Sequence, residues 1–170
     1  MADHLWLIGM MGSGKSAAGM AAAAMVDAGF VDTDDVVARR AGCSIAELWG
    51  TVGEQAFRQM ESAAIIDAEG GEPSVIATGG GAVLDPANVA VMRRSGTIVW
   101  LRAAPATLAE RVGDGRTRPL LASESVGEDV EQIAAARQAA YTEAADTVID
   151  TDALDVGAVA STIGELWKRS

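Results

Sequence analysis

The eight residues "GMMGSGKS", Gly9 to Ser16, fit the pattern G-x-x-x-x-G-K-S/T and stand between a short apolar run, "HLWLI", and an alanine-rich segment. That order, strand then loop then helix, is the context in which the pattern cradles phosphate. Glycines let successive backbone N–H groups turn inward on phosphate oxygens, and the N-terminus of the following helix adds partial positive charge. Gly12, Ser13, Gly14 and Ala17 belong to this cradle, Lys15 is expected to reach the β- and γ-phosphates, and Ser16 to offer its hydroxyl to Mg²⁺. The loop specifies a nucleoside triphosphate and leaves its use open among GTPases, transport ATPases and small kinases. An N-K-x-D guanine motif is absent, which counts against a GTPase, and 170 residues leave little room for a motor's extra modules.

The rest of the chain repeats the same alternation. Apolar runs at "HLWLIG", "GFVDT", "PSVIATG", "TIVWLR" and "DTVID" are short, partly β-branched and bounded by Gly, Pro, Asp or Ser, as buried parallel strands are. Helical segments separate them; Val156, Val159, Ile163 and Leu166 give the last one an apolar face. Five strand-helix alternations predict one α/β domain over residues 1–170, a parallel sheet with helices on both faces. The stretch 113–129 is the least regular, and a segment from about 113 to 125 is expected to form a lid.

Charge and composition narrow the partners. A net charge of −11 argues against nucleic acid or an anionic membrane surface. The apolar stretches are too short or interrupted to span a bilayer, and "MADHLWLIG" lacks a basic n-region, so a cytoplasmic protein acting as a monomer is expected. Cys43 and His4 are each single in the chain, which leaves any metal to oxygen ligands; His4 is expected at the surface. Lysine occurs only at 15 and 168, and several arginines fall inside motifs.

"FVDTDD", 30 to 35, sets three carboxylates behind the second strand, at the sheet edge where an open α/β fold binds its ligand. Beside phosphates they would repel unless Mg²⁺ intervenes. One carboxylate can hold the metal through its waters while another accepts a hydrogen bond or proton from a substrate hydroxyl. Asp35 is left to cap the following helix. Further on, "GEQAFRQMES" places Arg58 and Glu61 three residues apart on a helix, able to pair. The three glycines of "TGGGAV" let backbone approach a ligand closely. "RTRPLL" lies in the expected lid, and Arg137 precedes Tyr141 by one helical turn.

Taken in order, "GMMGSGKS", "DTD" at 32–34, "GEQAFR" at 53–58, "GGG" at 79–81, "RPLL" at 118–121 and R-x-x-x-Y-x-E from Arg137 to Glu143 resemble shikimate kinase, and the resemblance covers nearly the whole chain. It implies a nucleoside-monophosphate-kinase-like three-layer fold with sheet order 2-3-1-4-5, a substrate-binding subdomain at about 33–61 and the lid. The implied reaction is transfer of the ATP γ-phosphoryl group to the 3-hydroxyl of shikimate, a step of chorismate and aromatic amino acid biosynthesis. By the same resemblance Asp34 meets the shikimate hydroxyls, Arg58 and Arg137 hold its carboxylate with Glu61 beside them, Gly80 and Gly81 supply backbone contact, and Trp49 and Phe57 wall the ring. Ser16 and Asp32 hold Mg²⁺, Lys15 and Arg118 act on the transferring phosphoryl group, and Arg111 and "DTD" at 150–152 fall near the adenine. The chain departs from the pattern at Ala17, Met20 and Ala38, where polar residues, an arginine and a glutamate are usual. Gluconate kinase, on the same scaffold, lacks the combined set. A non-catalytic nucleotide-binding relative need not keep Lys15, Asp34, Arg58, Arg118 and Arg137 together.

Overall fold

The structure, a computed structural model, describes residues 3–113, 120–121 and 125–169. Strand β1 (His4–Ile8) is buried at every position, as expected of a run apolar on both faces. It is the centre of a five-stranded parallel sheet of order β2-β3-β1-β4-β5, with β2 at Gly29–Asp32, β3 at Ser74–Ala77, β4 at Gly96–Arg102 and β5 at Thr147–Asp150. All five strands and their order match the expectation.

Alternation along the strands sorts the core into two layers. Trp6, Ile8, Ile76, Ile98 and Trp100 face α3 (Ile45–Glu69), α4 (Pro86–Ser95) and α6 (Val126–Ala144). Leu5, Leu7, Val75, Val99 and Leu101 face α1 (Lys15–Met25) and α7 (Val156–Trp167). Helix α5 (Pro105–Val112) sends Leu108 into the first layer. Most helix starts are chemically marked: Ser44 and Glu47 form a reciprocal capping box on α3, and Asp85 caps α4 with Pro86 at the first helical position.

A third, smaller core joins Val37 of α2 (Thr33–Ala41) to Leu48, Phe57 and Ala64 of α3. Helix α3 is kinked at Gly53, where φ is 78° and ψ 171°, a backbone conformation that favours glycine. The kink turns the segment carrying Trp49 against the one carrying Phe57, whose rings lie 4.9 Å apart. Helical spacing alone does not reveal that bend.

His4 is buried, not at the surface. Its Nε2 donates to the Glu69 carbonyl at 3.1 Å and its Nδ1 accepts from the Ser74 N–H at 3.2 Å. Those partners assign a neutral ring protonated on Nε2, which ties the start of β1 to the end of α3 and the start of β3. No helix among the described residues is long and apolar enough to cross a membrane.

Candidate functional site

The carboxyl ends of β1, β2 and β3 open into a cavity of about 410 Å³. The loop 9–14 forms its floor. Gly12 and Gly14 have φ of 79° and 88°, and a Cβ on Gly12 would come within 2.9 Å of the Leu108 carbonyl oxygen, so α5 packs against the loop only because the side chain is missing. Lys15 Nζ donates to the carbonyls of Gly9 at 2.7 Å and Met10 at 2.9 Å. Gly12, Gly14, Lys15, Ser16 and Ala17 all line the cavity; Ser13 lies buried beneath it.

Ser16 and Asp32 meet directly, hydroxyl to Oδ2 at 2.5 Å. The other oxygen of Asp32 accepts from the backbone N–H groups of Asp34 and Asp35 at 3.0 and 3.4 Å. Asp32 is therefore the cap of α2, and Asp35, expected in that role, sits inside the first turn. Capping orients Asp32 for Ser16 and starts the helix so that Asp34 faces the cavity.

Across the cavity stand Arg58, Glu61 and Arg137. Arg58 Nη1 donates to Glu61 Oε2 at 2.9 Å, and the guanidinium lies 5.3 Å from the Trp49 ring centre and 5.6 Å from that of Phe57. Glycines 79 to 81 admit these groups. A methyl on Gly81 would overlap the Arg58 guanidinium, and one on Gly79 would overlap Glu61 Oε1 and come within 2.8 Å of Asp34 Oδ1. Gly79 therefore brings two carboxylates together at one point of the wall. Among the described residues the lining carries four cations, Lys15, Arg58, Arg111 and Arg137, against three acids, Asp32, Asp34 and Glu61, in a chain of net charge −11.

Glu61 is 1 % exposed, and its Oε1 has no hydrogen-bond partner among the described residues. Burial pushes its carboxyl above the ordinary 4.5, opposed first by the Arg58 charge. A raised folded-state value means that the folded protein retains this proton to higher pH than the unfolded chain does. The Glu61 contribution to stability is thus present below pH 4.5 and is lost as pH rises through the elevated value. Glu61→Gln does not titrate, so its thermal midpoint should fall less than the wild-type midpoint across that window. Parallel curves for the two proteins would contradict this.

Two residues without an assigned role brace the glycine turn from outside the cavity. Tyr141 donates its hydroxyl to the Gly80 carbonyl at 2.5 Å; burial pushes its phenol up to about 12, keeping it protonated. Thr33 accepts from the Gly79 N–H at 3.3 Å. The one-turn spacing from Arg137 pointed to Tyr141 without its partner. Nothing local marked Thr33, whose partner is 46 residues away.

Arg111 lines the cavity and donates to the Thr151 hydroxyl and carbonyl at 3.0 and 2.9 Å. Of the second "DTD", only Thr151 touches this arginine. Asp150 pairs with Arg102, and Asp152 is held below the usual carboxylate range by the Thr107 hydroxyl and the Ala104 N–H; both line a different cavity. Leu120 reaches the first cavity, whereas Arg118 lies outside the described residues.

The profile of the shikimate kinase family matches residues 11–168. The chain is 39% identical over 170 residues to shikimate kinase of Moorella thermoacetica, a match covering 99% of this chain and 96% of that one. Among solved structures it is similar to shikimate kinase from Acinetobacter baumannii in complex with shikimate, at 27% identity and a TM-score of 0.94 over 99% of this chain and 94% of that one. A gluconokinase from Sinorhizobium meliloti shares the fold at 17% identity and a TM-score of 0.61, over 99% of this chain and 93% of that one.

Proposed function

Because the chain belongs to the shikimate kinase family and so transfers the γ-phosphoryl group of ATP to the 3-hydroxyl of shikimate, we propose a division of labour among its own residues. ATP lies with its phosphates in the 9–16 loop and shikimate in the half of the cavity bounded by α2, α3 and glycines 79–81. The observation that carries this is the convergence of Lys15, Asp34, Arg58 and Arg137 on one cavity, from four separate elements. A carboxylated polyol needs both cations for its acid and an acceptor for its hydroxyls, and the cavity offers both.

Lys15 holds the β- and γ-phosphates, exchanging its loop carbonyls for phosphate oxygens. Asp34 accepts a hydrogen bond, and then the proton, from the attacking hydroxyl. Arg58, fixed by Glu61 and the Trp49 and Phe57 rings, and Arg137 grip the carboxylate. Tyr141 and Thr33 hold the glycine turn against which the ring rests. Ser16 and Asp32 fit Mg²⁺ by donor type, a hydroxyl and a carboxylate already in contact beside the loop, since this ion takes few protein oxygens and completes its shell with water and phosphate. When bound it neutralises phosphate charge. We assign the reaction to the cytoplasm, where ATP is supplied.

The test is ADP release by purified protein with ATP and Mg²⁺. Release should depend on shikimate and stay at the no-acceptor background with gluconate. Gluconate-dependent release would transfer the assignment to the other kinase.

Arg58→Ala and Arg137→Ala should each raise the shikimate KM far more than the ATP KM, each removing a charge-assisted hydrogen bond of about 1.5–3 kcal/mol. Steady-state kinetics with each substrate varied checks this, and equal losses for both would remove these arginines from the acid pocket.

A further inference from the structure

On the face of the sheet covered by α6, a second cavity of about 410 Å³ opens between that helix, the end of β4 and the β4–α5 connection. Two of the four α6 side chains that line it, Ala134 and Ala135, are small. Glu131, Ala134, Ala135 and Gln138 recur on one stripe of α6 at spacings of three and four, and Ala103 and Ala104 lie opposite. Edge strand β5 is left open on this side: Val148 is 42% exposed, while Ile149, facing the other layer, is buried. Two alanine pairs facing each other beside an uncovered strand leave space that a larger residue would fill.

The lining has a definite chemistry. Trp100, stacked on Tyr141 at 5.3 Å, forms the aromatic end, and Pro105 and Leu108 the apolar side. Arg102 lies over Trp100 at 5.5 Å and is neutralised by Asp150 through bonds of 2.6 and 2.8 Å. Asp152 accepts from the Ala104 N–H and the Thr107 hydroxyl and feels the Arg111 charge, so the less compensated carboxylate is that of Glu131. Glu131 makes no side-chain hydrogen bond or ion pair among the described residues. The volume falls in the range of roughly 300–1,000 Å³ typical of small-molecule sites.

We propose that this cavity is a second small-molecule site, which takes a compact aromatic amine with its ring among Ala134, Ala135 and Leu108 and its ammonium towards Glu131 and Asp152. The site is walled off from the first cavity by Met10 and Tyr141 and is coupled through them. Tyr141 holds Gly80, and Met10 Sδ lies 3.9 Å from Arg137 Nη1. An occupant supports that wall from behind and restrains α6, so it tightens shikimate binding, and shikimate must tighten its binding by the same factor. This coupling, though not the site, rests on the reading of the first cavity as the shikimate pocket.

The test is calorimetric titration of the protein with 2-phenylethylamine, and with phenylacetate as the oppositely charged control. The amine should bind with Kd of about 1 mM or tighter, in the absence of shikimate and with ADP saturating, and phenylacetate should bind more weakly. Ala135→Leu narrows the cavity and should weaken the amine at least about tenfold while kcat stays within about twofold. Glu131→Lys, at an exposed position that cannot upset the core, should weaken the amine and favour phenylacetate. Competition between amine and ADP, equal binding of amine and acid, or indifference to both substitutions overturns the site. With the amine bound, shikimate Kd should fall severalfold; an unchanged value overturns the coupling. Failure of shikimate to bind at all would instead defeat the reading of the first cavity, leaving the amine titration unaffected.

Discussion

Lys15→Met should lower kcat by roughly 10³-fold while leaving the folded structure in place. Lys15 Nζ donates to the Gly9 and Met10 carbonyls and the Ser13 hydroxyl of its own loop, at 2.7, 2.9 and 3.4 Å, and methionine replaces most of the buried stem. The folded state thus loses hydrogen bonds to a loop that glycines and α1 already shape. The reaction loses the cation that meets charge shifting between the β- and γ-phosphates, in a cavity where screening by water is weak. Single-turnover measurement of phosphoryl transfer, beside circular dichroism of the variant, separates the two. A folded variant with near-normal kcat would remove Lys15 from the phosphates.

Asp34→Asn should cost roughly 10²-fold or more in kcat, with a smaller change in shikimate affinity. Asparagine keeps the shape and one carbonyl acceptor at the start of α2, so the hydroxyl is still met; the proton has nowhere to go. The position is crowded, since Asp34 and Glu61 both approach Gly79. A loss confined to binding would leave Asp34 a positioning residue and move the proton to another acceptor. The pH dependence of kcat in wild type and variant supplies the second readout.

Several parts of this site were legible along the chain because each is a local agreement between backbone and side chain. The loop at 9–16 shows itself through glycine spacing, the strands through short apolar runs, and the Arg58–Glu61 pair through a three-residue helical interval that the structure reproduces at 2.9 Å. Asp32 ends β2, and it rather than Asp35 caps α2, a choice the sequence leaves open because any of three neighbouring carboxylates suits a cap by composition. His4 looked like a surface residue because its two partners, Glu69 and Ser74, are distant in sequence.

The order of short strands, helices and a phosphate loop was enough by itself to determine the α/β class, since backbone hydrogen bonding and apolar periodicity act over a few residues. The ordered motifs were enough to indicate the family. Tertiary structure alone decided which groups face one another: that the bend at Gly53 sets Trp49 against Phe57, that Gly79 admits two acids at one point, and that Tyr141 braces Gly80 from 61 residues away. It also separated the second "DTD", with Thr151 on Arg111 and its two acids at another cavity. Such contacts depend on how layers pack across the sheet, and packing is set by the shapes of side chains far apart in sequence, which no local pattern records.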